Sequence, residues 1–105
     1  AAAASNGKII FAPLNANGVG VFDPSDDSFA LVDIKDDILS DWKFNGAAAA
    51  SNGKIIFAPY FADGVGVFDP SDNSFQLVDI SSTIATDQKF QGAATAGDGK
   101  IIFAP

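Results

Sequence analysis

The chain has 105 residues, 48% hydrophobic and 18% charged, with thirteen acidic groups against six basic ones. That length bounds it at one small domain, and a net charge of −7 argues against a nucleic-acid partner, whose capture depends on cationic contacts to phosphate. Every base is Lys and every acid is Asp, with no His, Cys, Arg or Met, which removes the thiol nucleophile, the imidazole base, the Cys/His zinc site and the guanidinium fork.

No apolar run approaches the roughly 20 residues of a membrane-spanning helix, so no membrane partner is expected. The lack of Met suggests a processed product, a segment of a longer chain, or a sequence lacking its true start. A cysteine-free sequence fits either redox compartment, and no cofactor is implied.

Internal repetition organises the rest. AAAASNGKIIFAP begins at Ala1 and recurs unchanged at Ala47, and AATAGDGKIIFAP begins at Ala93. The chain divides into two units of 46 residues, 1–46 and 47–92, and a remainder, 93–105. The two full units match at 34 positions and differ at 12.

Within a unit the signals are those of successive strands. Residues 1–5 (AAAAS) are small and lead to Asn6-Gly7, a hairpin signal that predicts a type I′ turn. Lys8 to Ala12 is a strong β run, and Pro13 ends it by removing a ladder donor. After a loop (LNANG, or YFADG in the second unit), Val19 to Phe22 predicts a third strand. Asp23-Pro24-Ser25-Asp26-Asp27-Ser28 is turn chemistry, and Phe29 to Ile34 predicts a fourth. Residues 35–45 are polar with scattered apolar positions. The Ala-rich stretch does not predict a helix, because isolated helices so short are unstable in water. Phe11, Phe22, Phe29, Phe44 and their copies are expected in the core.

Four antiparallel strands in each 46-residue unit match the period of a propeller blade. The hairpins Val21-Phe22-Asp23-Pro24 with Phe29 to Val32, and Val67-Phe68-Asp69-Pro70 with Phe75 to Val78, resemble β-propeller repeats of the broad kelch, NHL and YVTN kind. The WD dipeptide and the kelch double glycine are absent. The resemblance implies an all-β fold in which 1–46 is one blade, 47–92 a second, and 93–105 the first two strands of a third. With strands named A to D from the axis outward, the chain runs ABCD, ABCD, AB. Propellers typically close with about 4–8 blades, so this chain is expected either to belong to a longer propeller or to form a homo-oligomeric ring, a trimer or a tetramer.

A four-stranded meander puts the AB and CD turns at one end and the BC and DA connections at the other. Ten of the twelve differences fall in BC (14, 15, 17) or DA (35–45), and the resemblance implies that this rim is where propellers commonly hold ligands. Loop drift without function is the competing explanation. Trp42, Tyr60 and Phe61 are the aromatics at varying positions, and with Asn15, Asn17, Asp41, Asp63 and Asp87 they make a candidate carbohydrate site. In such a site aromatic faces would receive the sugar ring, and amides and carboxylates its hydroxyls.

The acidic CD turns, Asp23, Asp26, Asp27 and Ser28 with their copies, raise the question of calcium. They lack the glycine and terminal Glu of an EF-hand loop, so no metal site is expected. Asp41 and Asp87 recur one unit apart as conceivable acid/base carboxylates, but without His, Cys or Arg nearby an enzyme is not expected. Ser-based hydrolysis lacks its base, and GVGVFD does not have dinucleotide-loop spacing. The expected function is a scaffold or binding module, lectin-like in character. The alternative is a purely structural repeat protein that assembles without a ligand.

Overall fold

A computed structural model describes all 105 residues. It contains ten strands and no helix. In the first unit β1 (Ala2–Ala3), β2 (Ile9–Phe11), β3 (Gly18–Asp23) and β4 (Ser28–Asp33) form one antiparallel meander. In the second, β5 (Phe44–Ala49), β6 (Ile55–Pro59), β7 (Gly64–Asp69) and β8 (Ser74–Asp79) form another of the same order. A two-stranded hairpin, β9 (Ala93–Thr95) and β10 (Ile101–Phe103), completes the chain. The architecture is all-β, built of four-stranded propeller blades. β5 starts at Phe44, ahead of the repeat boundary at Ala47, with a bulge between the two residues.

The AB turn differs from the expected type I′. That turn needs positive φ at both central residues, and here Gly7 takes φ 88° while Asn6 does not. Gly7 N–H donates to Ala4 O at 3.0 Å, and Ala4 N–H donates to Lys8 O at 2.8 Å. The glycine therefore occupies the left-handed place that follows a β-turn, in the manner of a bulged three-residue hairpin loop. The Asn6 side chain accepts from Lys8 N–H at 3.1 Å. At the CD turn Asp27 and Asn73 take φ 58° and 61°, a conformation that Asn and Asp tolerate better than other side chains.

Strand alternation gives each sheet two apolar faces. Ile10, Val19 and Val21 point to one side of the first sheet, while Ile55, Phe57 and Phe68 point to the facing side of the second, and all six are buried in a single cluster. Phe44 lies over the second sheet, its ring centroid 5.6 Å from Phe57 and 6.1 Å from Phe75. Gly66 makes room for this arrangement, because a Cβ there would sit 2.9 Å from the Phe57 ring and 3.0 Å from the Phe44 ring.

The inner strands converge. A Cβ on Gly46, whose φ is +110°, would lie 2.7 Å from Gly92 Cα, so only a glycine lets these two chain entries meet. The Thr95 hydroxyl donates to Ala49 O at 2.6 Å and fixes the hairpin against β5.

The core expectation needs correction for the first unit. Phe57 is fully buried, but its copy Phe11 is 43% exposed and Phe29 is 61% exposed. These rings lie on the side of the first sheet turned away from the second, and nothing in the chain covers them.

Candidate functional site on the loop rim

The rim bearing the BC and DA connections is knitted by backbone bonds between units. Lys43 N–H donates to Leu14 O at 2.8 Å, Tyr60 N–H to Lys43 O at 2.9 Å, and Phe61 N–H to Trp42 O at 2.8 Å. The DA segment thus lies between the BC loop of its own unit and that of the next. The same bonding recurs one unit on, where Lys89 N–H donates to Tyr60 O at 2.9 Å.

This lattice gathers the aromatics. Trp42 stands 6.3 Å from Tyr60 and 6.4 Å from Phe61 between ring centroids, and Tyr60 and Phe61 are 5.3 Å apart. Trp42 is 48% exposed, while Tyr60 and Phe61 are half-buried. Trp42 takes φ 57°, and its copy Gln88 takes φ 53°. The left-handed backbone is therefore a property of the repeat, and the indole is what this unit adds to it. Bonds on both sides hold that conformation: Trp42 N–H donates to the Asn15 side-chain oxygen at 2.9 Å, and Trp42 O accepts from Phe61.

The next residue in the chain, Lys43, is fully buried. Its ammonium donates to Ala16 O at 2.9 Å and Asn15 O at 3.4 Å, so carbonyls of the first BC loop replace the water it loses. Sequence reasoning missed this residue, although Lys at the same place in both units was the available signal. Its copy Lys89 is also buried.

The polar candidates are distributed unevenly. Asn15 spends its side-chain oxygen on the Trp42 backbone, leaving its amide N–H₂. Asp63 neighbours the cluster in sequence, and its backbone oxygen accepts from Ile80 N–H at 2.9 Å. Asp41 is exposed beside Trp42. Asn17 and Asp87 are exposed on the same rim, and no hydrogen bond or ion pair ties either side chain to the aromatics.

At the opposite rim the CD-turn carboxylates cap their own turns. Asp23 accepts from the Ser25 hydroxyl at 2.6 Å and from Ser25 N–H at 3.0 Å, and Asp69 does the same with Ser71. These bonds, the hydroxyl's first, hold both carboxyls below the usual Asp range. A cleft of about 260 Å³ opens there between the units, lined by turn residues that include Ser5, Asn6, Asn52 and Asp69. No local motif signals it, because it arises where an AB turn of one unit meets a CD turn of the next.

No family model matches the chain, and no curated protein does. Solved structures do. Virginiamycin B lyase from Staphylococcus aureus superposes with TM-score 0.78 at 17% identity, over 97% of this chain and 32% of that one. A streptogramin B lyase superposes with TM-score 0.76 at 20% identity, over 98% of this chain and 32% of that one. The chain thus spans about a third of these relatives, and the likeness establishes the propeller fold.

It also corrects the expectation that the protein is not an enzyme, because both neighbours are lyases. That expectation took the absence of His, Cys and Arg as a bound on chemistry. A rim assembled from several blades draws its reacting groups from all of them, so the composition of two blades sets no such bound.

Proposed function

We propose that this run of propeller blades binds a carbohydrate on its BC/DA rim. The observation that carries the reading is the Trp42–Tyr60–Phe61 cluster: three rings within 6.4 Å of one another, the indole half exposed and its backbone clamped from two sides. Clamped aromatics offer a large contact face that loses little conformational entropy on binding. The carboxylates of Asp41 and Asp63 and the remaining amide of Asn15 supply acceptors and donors for hydroxyls at its border. Asn17 and Asp87 extend the polar border along the rim.

The chain has a single Trp, so its emission reports on this patch alone. Titration with a panel of soluble oligosaccharides should give a saturable change in Trp42 emission. Phe61→Ala and Tyr60→Ala, which keep the reporter, should weaken binding about two- to tenfold, the equivalent of ~0.5–1.5 kcal/mol for an aromatic contact. A panel without any saturable response overturns the reading.

The comparison itself favours a second reading, a lyase acting on a streptogramin B type of substrate, as the neighbours' names describe. Chromatography of such a substrate after incubation separates the two: a new product peak supports the lyase, and unchanged substrate alongside saturable glycan binding supports the first.

A further inference from the structure

Asparagine is followed by glycine at four places in the chain, 6–7, 17–18, 45–46 and 52–53. The Asn side-chain amide is thermolabile, and a following glycine, with no side chain, hinders attack on it least. The fold holds the four sites to different degrees. Gly18 is buried in β3 opposite Asp33, and the Asn17 carbonyl accepts from Ile34 N–H at 2.9 Å. Asn45 and Gly46 lie half-buried in β5, where a Cβ on Gly46 would come within 2.7 Å of Gly92 Cα. Asn6 and Gly7 are exposed at the tip of the AB turn, with nothing within 4 Å of a Cβ on Gly7. Asn52 and Gly53 form the second copy of that tip, equally open around the glycine. Turn tips open locally at little cost, whereas strand interiors open only with much of their sheet.

The tip also brings the reacting groups together. Lys8 N–H donates to Asn6 Oδ1 at 3.1 Å, and Lys54 N–H to Asn52 Oδ1 at 3.0 Å. Each bond folds the carboxamide back along the peptide joining Asn to Gly and draws electron density from its Cγ. One backbone bond restrains the attacking nitrogen, Gly7 N–H to Ala4 O at 3.0 Å or Gly53 N–H to Ala50 O at 3.1 Å. The third copy shows that an acid fits the same turn. Asp98 stands where Asn6 and Asn52 stand, and Gly99 takes φ 87° against 88° for Gly7. Lys100 N–H donates to Asp98 Oδ1 at 3.1 Å, as Lys8 N–H does to Asn6.

We propose that Asn6 and Asn52 are sites of spontaneous deamidation, and that the change at Asn6 loosens the contact between the two units. When the turn opens, the glycine nitrogen bonds to the Asn Cγ and the Cγ–Nδ2 bond breaks. The amide leaves as ammonia, carrying the proton that the glycine nitrogen gives up. Water then opens the cyclic imide at either carbonyl, leaving an aspartyl or an isoaspartyl link. In the starting state Asn6 Nδ2 donates across the interface to Pro70 O at 3.4 Å, and Asn6, Asn52 and Asp69 line one cleft. Deamidation replaces that donor with a carboxylate facing a carbonyl oxygen. It also gathers negative charge around the cleft, a repulsion that salt screens. The Asn6–Pro70 contact joins the two complete units, so blades added at either end leave it as it is.

The test is fragment-ion peptide mapping of the 105-residue chain, held folded in warm, mildly alkaline buffer and sampled over days. Labelling by an isoaspartyl methyltransferase reports the second product. Conversion is expected at Asn6 and Asn52, faster at higher pH, and slower by about tenfold or more at Asn17 and Asn45, where strands must open first. In denaturant the four sites should convert at similar rates, because the fold alone separates them. Asn6→Asp installs the product in a turn that already accepts Asp98, so the variant should fold. Its denaturant midpoint should fall at low salt, and added salt should shrink the shift. Folded-state conversion no faster at Asn6 and Asn52 than at Asn17 and Asn45 overturns the modification. An unchanged or raised midpoint overturns its effect on the contact. Neither readout needs a ligand, so the result is independent of glycan binding on the opposite rim.

Discussion

The two 46-residue units differ at only 12 positions, none of them in the apolar alternation of strands B and C, yet they occupy different environments. Phe57 is inaccessible and Phe11 is 43% exposed. Phe75 and Leu77 pack on the core cluster, while Phe29 and Leu31 face outward. Nothing in the local sequence accounts for this. The difference is positional: the second unit has a sheet on one side and a hairpin on the other, and the first has a neighbour on one side only. In a repeat array the energy of a residue depends on the interfaces its unit has, so identical sequence does not mean identical contribution.

The largest consequence is an asymmetry between equivalent truncations. Phe57→Ala should cost about 3–5 kcal/mol, the usual range for emptying a buried aromatic site. Phe11→Ala should cost clearly less in the single chain. Denaturant titration of the two variants measures the difference. Equal losses would mean that burial does not separate the units. A methyl group makes a narrower test. Gly66→Ala forces a Cβ to within 2.9 Å of the Phe57 ring and 3.0 Å of Phe44, an overpacking expected to cost about 1–3 kcal/mol. Gly20→Ala meets Phe11 and Phe29 at 3.2 Å, but those rings border solvent and can yield, so the loss should fall below that of Gly66→Ala. The reverse order would show the first sheet's aromatics to be as confined as the second's.

The legible part of this fold is the part set by local alternation and turn chemistry. The Val-Gly-Val-Phe run, the Asp-Pro-Ser-Asp turn and the strand after it predict β3, β4, β7 and β8 closely, because each strand's pattern agrees with its turn. The Ala-rich stretch becomes β5 because β6 and the neighbouring inner strands supply bonds and packing that override Ala's helix preference. The I′ assignment failed because Asn-Gly admits two hairpin geometries, and the choice depends on how far the flanking pairs extend, which Ala4 and Lys8 decide. The grouping of Trp42 with Tyr60 and Phe61 was readable from which loops vary. Lys43 was not, because a buried ammonium makes sense only once the carbonyls of Ala16 and Asn15 are seen to surround it. Exposure of Phe11 and Phe29 was unreadable for the reason their copies differ: it depends on the neighbour and not on the residue.

The smallest effect is expected where the units do not differ. Asp23 and Asp69 each accept from the hydroxyl and backbone N–H of the serine two residues on, at the same distances in both units. Both carboxyls are held below their ordinary value by those bonds, to which a nearby lysine adds a minor contribution. A carboxyl whose folded pKa is depressed binds its proton more readily when the chain is unfolded. The stabilisation is therefore fully present above the ordinary Asp pKa near 3.8 and is lost as pH falls through the depressed folded values. Ser25→Ala and Ser71→Ala should each flatten the acid limb of the stability–pH curve slightly and by the same amount, leaving stability differences at pH 6 and 8 equal. Both carboxylates are open to water, where screening keeps such contributions small. If Ser71→Ala flattened the curve markedly more than Ser25→Ala, the asymmetry between units would extend to their turns. Equal, modest changes would confine it to the faces of the sheets.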